Sequence, residues 1–507
     1  MPLVLLGTYA INRYIGHRAA IGWLLMSSLL FYGFGEPRLI VLIVFSMMVN
    51  YIFGRLLVKL TVLEKQHMKK YALFIGIFLN LFALGYFKYT NFFLNNLIAI
   101  FNLKVSLLQI VLPIGISFYT FTQIAYLVDC YRGNVTNKYN FTDYCLFVTF
   151  FPHLIAGPIV HHKDLIPQFQ NKNIFTFHPE NLGEGFTLFC IGLFKKTIIA
   201  DGVAQYADLV FHYVGAGGHV TLIPAWLGSI AYTLQIYFDF SGYSDMAIGL
   251  ARMFGIRLPI NFNSPYKAAN IIDFWRRWNM TLSRFLKEYL YFSLGGNRKG
   301  VSRRYINLLI TMVLGGLWHG ASWTFVFWGA LHGVYLCINH GWLAVKNYFN
   351  ISLQSKRAAL INKFLAQLLT FICVTIAWVF FRAENFSDAA IIIKGMFGFN
   401  GFAIPKNYAA WIPSSMPVKY SDNISYLFKG THELLFIIVL LGVVTLLPNA
   451  QQFINRRFYG IASDGTQLSI ELANQQVKFY WALLFCLMFV LCLLFSVQPN
   501  AFIYFKF

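Results

Sequence analysis

Two groups of residues in this chain sit where apolar packing alone does not explain them: single histidines inside long apolar runs, and arginines spaced along an amphipathic stretch. His319 lies within INLLITMVLGGLWHGASWTFVFWGALH, residues 306–332, between Trp318 and Gly320. An ionisable side chain at membrane depth is costly and therefore marks a site by default, and a neutral imidazole suits general-base work near neutral pH. The alternative is a packed histidine whose hydrogen bonds are satisfied. His332 follows thirteen residues later. On one continuous helix that separation is roughly 140° around the axis, so the two rings would not share a metal unless a break at the intervening glycine changed the angle.

The second group lies between Asn270 and Gly300, where Arg276, Arg277, Arg284, Lys287, Arg298 and Lys299 face only Asp273 and Glu288. Phe274, Trp278, Leu282, Phe285 and Tyr289 recur there every three or four residues, which predicts an amphipathic or re-entrant helix near 270–300. Its basic face meets either lipid phosphate or the phosphates of a nucleotide-bearing acyl donor, with Arg276, Arg277 and Arg284 as donor-binding candidates. In YFDFSGYSD, residues 237–245, Asp239 and Asp245 stand six apart, too far around a helix for a close catalytic pair. Structural hydrogen bonding is the first reading of these carboxylates, and a donor-pocket or helix-terminus role the second.

His153 sits between Pro152 and Pro158, which cap or kink a membrane helix, and His161 and His162 follow just beyond. With no HExxH, no CxxC and no carboxylate at ligand spacing, no metal is assigned to them. Walker A, GxGxxG and GxSxG sequences and a His followed five positions later by Asp are also missing, which removes several enzyme classes and weakens ATP-driven transport. No bound cofactor is expected.

The elements that must position these groups belong to a membrane. Of the 507 residues, 58% are hydrophobic and only 12% charged, too little polar surface to cover a soluble globule of this size. Apolar runs such as 39–51, 72–87, 182–199, 223–238, 305–317, 434–447 and 479–495 predict about eleven to thirteen transmembrane or re-entrant helices, the first of them retained at the N-terminus. Residues 1–130 read as N-terminal transmembrane helices and 131–400 as the working core, where Pro, Gly, His and ionisable residues interrupt the runs. Residues 401–431 read as an extramembrane loop, and 432–507 as C-terminal transmembrane helices. Irregular backbone at membrane depth is tolerated only in protein or against a wet cavity, so the core should hold a cleft. The net charge of +21 is spread over short loops, the pattern expected of loops meeting anionic lipid headgroups, and no nucleic-acid-binding module is present. The seven cysteines read as small buried hydrophobes.

Six stretches carry a resemblance: LPIGISFYTFTQIAYLVDCYRG (112–133), FPHLIAGPI (151–159), FDFSGYSDMAIGLARMFGI (238–256), DFWRRWNMTLSRFLKEYLYFSLGGNRKG (273–300), GGLWHGASWTFVFWGALHG (315–333) and FFRAENFSDA (380–389). In order and spacing they resemble the membrane-bound O-acyltransferases, in particular the bacterial polysaccharide branch. The resemblance implies an all-α scaffold of membrane helices around a central passage, with His319 as the active-site histidine and His153 as a supporting residue; Trp318, His332 and Asp239 are carried as further supporting positions. It also implies acetyl-CoA or another acyl thioester as co-substrate. The product would be an O-acetylated secreted polysaccharide, alginate-like, made in the bacterial inner membrane with a periplasmic SGNH-hydrolase-like partner. The position of Asn279 is usually His in that branch; the Asn found here is the residue many animal members pair with their histidine. An amide can position a carbonyl or hydroxyl but cannot titrate, so it does not serve as a second base. Two alternatives stand beside this reading: a multi-span transporter or export subunit, and an O-acyltransferase acting on teichoic acid, cellulose or a lipid.

Overall fold

The computed structural model describes residues 1–135, 139–155, 157–350, 355–411, 413, 420–421, 431–459, 479–495 and 502–503. About half of the 401–431 segment, expected as an extramembrane loop, lies outside them. The described residues are almost entirely helical; a two-residue parallel pairing of Ile404–Pro405 with Tyr420–Ser421 is their only β-structure. The chain is an all-α polytopic membrane protein. It divides into two compact units, Met1–Phe189 with Ser244–Ile260, and Cys190–Tyr243 with Asn261–Phe507.

The first unit is built from α1 (Pro2–Tyr14), α2 (His17–Gly33), α3 (Arg38–Val62), α4 (Gln66–Leu84), α5 (Thr90–Phe101), α6 (Ile116–Arg132), α7 (Phe141–Thr149), α8 (Phe151–Leu154) and α9 (His162–Gln170). Helix α3 illustrates how the sequence makes a membrane element. Its buried positions Ile43, Met47, Asn50, Gly54 and Leu57 recur every three or four residues, while Val41, Phe45, Met48 and Ile52 are exposed apolar side chains with nothing but lipid to meet. On its buried face the Asn50 and Asn80 amides satisfy one another across α3 and α4, Asn80 Nδ2 donating to Asn50 Oδ1 at 2.6 Å. Gly54 and Gly76 leave the space that Tyr126 and Leu127 of α6 fill. Helix α6 ends at Gly133, whose φ of 79° lets its own N–H turn back to the carbonyls of Asp129 and Cys130.

By length and composition, three helices among the described residues can each cross a bilayer alone: Arg38–Val62, Gln66–Phe101 and Lys356–Arg382. His432–Leu446 and Ala450–Arg456 together have the length and composition of a further span or a re-entrant loop, bent by 48°. Other helices of crossing length keep polar groups inside. Helix α12 (Leu222–Met253), which follows α10 (Pro179–Phe194) and α11 (Asp201–Gly215), buries Ser229, Thr233, Gln235, Asp239, Ser241, Ser244 and Asp245.

The second unit contains the interrupted region. Residues 270–300 do not form the single amphipathic helix that their spacing predicts. Helix α13 (Ile271–Trp275) stops, the backbone turns through Asn279 in the left-handed region (φ 41°), and α14 (Met280–Phe285) runs on into a π turn at Leu286–Tyr291. The cause is the extended strip before it. Asn263 N–H donates to the Arg277 carbonyl and Met280 N–H to the Asn261 carbonyl, both at 2.9 Å, so groups a continuous helix would pair internally are drawn sideways. The apolar side of the pattern is nonetheless buried: Phe274, Trp278, Leu282, Phe285 and Tyr289 are all inside.

Next come α15 (Val301–His319), α16 (Trp323–Tyr348), α17 (Lys356–Arg382) and α18 (Phe386–Met396). The run 306–332 is therefore a hairpin, broken at Gly320–Ser322, where Ser322 caps α16 by accepting from Thr324 N–H. The two arms touch backbone to backbone, since a Cβ at Gly316 would collide with the Phe325 carbonyl oxygen and one at Gly329 with that of Met312. Among the described residues, the apolar helices α19 (Thr431–Leu446) and α21 (Phe479–Phe495) follow, with the short polar helix α20 (Ala450–Phe458) between them.

Candidate active site

His319 is the last residue of α15, buried to 4% exposure at the closed end of the hairpin. Three aromatic rings stand edge-on around it: Trp318 at 4.9 Å between centroids, Trp328 at 5.2 Å and Phe381 at 5.3 Å. Each comes from a different helix or helix end, so the orientation of the imidazole depends on α15, α16 and α17 together. A ring held this way has little rotameric freedom, as a positioned proton acceptor requires.

The hairpin also changes the relation between the two histidines. On one straight helix His332 would point away from His319, but reversal at Gly320 places them on the same tryptophan, with Trp328 centred 5.2 Å from His319 and 4.9 Å from His332. His332 is completely buried, stacked on Phe274, and its Nδ1 accepts from Trp275 Nε1 at 3.3 Å. That bond puts the proton of a neutral His332 ring on Nε2. Trp275 thus ties α13 to α16, a contact that no spacing rule on the sequence could have found.

Asn279 lies in the turn between α13 and α14, 3% exposed, where its left-handed backbone is tolerable for Asn but strained for most residues. Its side-chain amide makes no hydrogen bond among the described residues, so its donor and acceptor remain available. The neighbouring Trp278 packs on Trp378 at 4.9 Å, and Trp378 on Trp328 at 5.5 Å, which joins the Asn279 turn to the aromatic cluster around His319.

The three arginines proposed for a donor are in different situations. Arg277 pairs with Asp273 at 2.8 Å and Arg284 with Glu288 at 3.1 Å, both one turn along the chain. Arg276 is exposed and makes neither a hydrogen bond nor an ion pair among the described residues. Asp239 is a structural anchor in this geometry. It pairs with Lys196 at 3.0 Å, Lys196 also reaches Asp201 at 2.6 Å, and the other Asp239 oxygen accepts from Ile503 N–H at 3.1 Å. Beyond Phe325 and Phe381 lies a cavity of about 280 Å³, lined also by Ser322, Thr324, Tyr232 and Arg382, the last paired with Asp208.

His153 belongs to the first unit, where Nε2–H donates to the Phe147 carbonyl at 3.1 Å. The same unit holds a buried constellation that the sequence did not reveal. His162 Nε2–H donates to Asp129 at 3.0 Å while its Nδ1 accepts from the Tyr139 hydroxyl at 3.1 Å, across sequence separations of 33 and 23. Among the described residues no group of three or more His, Cys, Asp or Glu could hold a metal ion.

Residues 133–381, which include the hairpin, the aromatic cluster and the broken segment, match the model of the membrane-bound O-acyltransferase family. Along its length the chain is 44% identical over 406 residues to a peptidoglycan O-acetyltransferase of Helicobacter pylori, covering 75% of this chain and 74% of that protein. The chain belongs to the membrane-bound O-acyltransferase family. It is also 42% identical over 400 residues to a probable alginate O-acetylase of Pseudomonas aeruginosa, covering 78% of this chain and 72% of the relative. A teichoic acid D-alanyltransferase of Bacillus subtilis is 28% identical over 236 residues, covering 45% and 58%. As a member of the membrane-bound O-acyltransferases with these relatives, the protein is a membrane O-acetyltransferase, which decides for an enzyme over an export subunit.

Proposed function

We propose that this membrane O-acetyltransferase takes an acetyl group from a cytoplasmic thioester, acetyl-CoA in the simplest case, and delivers it across a bacterial inner membrane for O-acetylation of a secreted polysaccharide. The observation that carries the reading is the buried His319 imidazole, held edge-on by Trp318, Trp328 and Phe381 at the closed end of the hairpin. In this mechanism His319 takes the proton of an acceptor hydroxyl as its oxygen attacks the thioester carbonyl. The new C–O bond forms, the C–S bond breaks, and the imidazolium returns its proton to the departing thiolate. General-base help of this kind is worth roughly 10²–10⁴ in rate. The unpaired Asn279 amide is suited to hold the carbonyl oxygen as charge builds on it, a contribution of about 10²–10³ where one such donor has been removed.

The acceptor is a hydroxyl on the outer side, presented by an extracytoplasmic SGNH-hydrolase-like partner that passes the acetyl group to the polymer. Family analogy is the support for that partner. The relatives' names divide between peptidoglycan and alginate, so the polymer is proposed at the level of a secreted glycan. Purified protein in nanodiscs, given radiolabelled acetyl-CoA and a hydroxyl acceptor, should release CoA and label the acceptor. His319→Ala should lose that transfer while keeping the wild-type unfolding profile, and activity retained in the variant would remove His319 from the mechanism.

A further inference from the structure

At the end of the hairpin opposite His319 a guanidinium is bound to an imidazole, with a second arginine on the adjoining helix. Arg304, in the first turn of α15, donates from Nη2 to His340 Nδ1 at 2.7 Å. Arg276, at the end of α13, directly follows Trp275, whose Nε1 donates to His332 at 3.3 Å two turns before His340 on α16, so the same helix contact brings the Arg276 charge to the His340 side of α16. Arg304 and His340 are half-buried. The contrast with the adjoining arginines is informative, because Arg277 and Arg284 each have an acidic partner one turn away. Arg304, half-buried and without a carboxylate partner among the described residues, is a partly desolvated cation that a bound anion would stabilise, and its guanidinium, with the exposed Arg276 on the neighbouring helix, suits the oxygens of a phosphate.

The position of this cluster is as telling as its charge. Arg304 precedes His319 by fifteen residues on α15, about 22 Å of helix, and His340 follows Trp328 by twelve on α16, about 18 Å. Trp328 is the ring against His319. The cluster therefore stands at the reach of an extended phosphopantetheine arm from the imidazole. It also lies at the basic end of the helices, with Arg298, Lys299 and Arg303 before it in the chain, the end that faces the cytoplasm by the distribution of positive charge.

We infer that Arg276, Arg304 and His340 form a phosphate-binding site that anchors the phosphopantetheine-bearing donor while its thioester reaches His319. The inference rests on the donor reading above and sharpens it, assigning the anchor to Arg276 and Arg304 with His340 of the next helix rather than to Arg276, Arg277 and Arg284. The neutral His340 ring orients Arg304, whose remaining N–H groups are left for the phosphate.

The test compares acetyl-CoA with acetyl-pantetheine, the same thioester without the phosphates and the nucleoside they carry, as donors for wild type, Arg276→Gln, Arg304→Gln and Arg304→Lys in nanodiscs of neutral lipid. The expected result is a donor KM raised at least tenfold for acetyl-CoA in each Gln variant, little changed for acetyl-pantetheine, and partly restored by Arg304→Lys. Equal KM changes for both donors, or none for acetyl-CoA, would overturn the site. Repeating the assay with anionic lipid separates the other source of phosphate: variants that lose activity only through a lost response to anionic lipid would assign the cluster to headgroups and overturn the proposal. Calorimetric binding of CoA distinguishes this inference from the reading beneath it. Arginine-dependent CoA binding without turnover in wild type keeps the site and sinks the acetyl-CoA reaction. Turnover in wild type with arginine-independent binding does the reverse, and neither binding nor turnover sinks both.

Discussion

At the scale of single residues, the arrangement around His319 makes burial and orientation inseparable. The imidazole is at the end of its helix, and its position is set by rings from three elements rather than by helical geometry alone. Asn279 allows a sharper test than alanine scanning, because its backbone is left-handed while its amide is unpaired. Asn279→Gly keeps the turn and removes the amide; Asn279→Ala removes both and adds strain of about 1–2 kcal/mol. If the amide holds the reacting carbonyl, both variants should lose transfer by roughly 10²-fold, with only the Ala variant unfolding at lower temperature. Full activity in Asn279→Gly would reduce Asn279 to a turn former. At His332, removal of the Trp275 donor frees a buried acceptor, so Trp275→Phe should cost about 1–3 kcal/mol in a thermal unfolding series.

The scale of elements is where chain pattern and structure part. The amphipathic spacing at 270–300 correctly picks out which side chains are buried, since Phe274, Trp278, Leu282, Phe285 and Tyr289 are all inside. It misses the breaks, because these arise from hydrogen bonds to residues 261–263 that lie outside any local window. In the α15–α16 hairpin, Gly316 and Gly329 permit backbone contact. Gly316→Val should therefore cost about 1–3 kcal/mol and reduce transfer by displacing His319. Gly341, where an added Cβ would meet nothing, is the matched control: Gly341→Ala should leave transfer unchanged and should not lower the unfolding temperature. Asp239 connects α12 to Lys196 and to Ile503, and Asp239→Asn leaves a buried lysine with one carboxylate fewer. A loss of about 3–5 kcal/mol is expected, read as a fall in Tm, and a variant as stable as wild type would show that Asp201 alone suffices.

At the scale of the whole molecule, the distribution of charge sets orientation. By the positive-inside rule, the basic residues before and within the start of α15, with Lys346 and Lys356 on the neighbouring helices, predict those ends on the cytoplasmic side, and the α15–α16 turn with the end of α17 on the opposite side. Lys299→Cys and Glu384→Cys, both exposed positions, should react with a membrane-impermeant maleimide from opposite faces, measured against the native cysteines. Labelling of both from one face would contradict this orientation.

By itself the sequence determined the solvent, the helical class and the family. Those depend on composition, on the length of apolar runs and on motifs read along the chain, and a bilayer enforces them strongly because it offers no water to unpaired backbone. It also singled out His319, since an imidazole in an apolar run is improbable without a use. Tertiary structure alone decided which groups meet. The reversal at Gly320 puts His319 and His332 on one tryptophan, ion pairs with Asp273 and Glu288 occupy two of three candidate arginines, and Arg304 binds His340. Residues 36 and 57 positions apart in the chain are brought together only by helix packing, whose hydrogen bonds and ring contacts leave no periodic trace in the sequence.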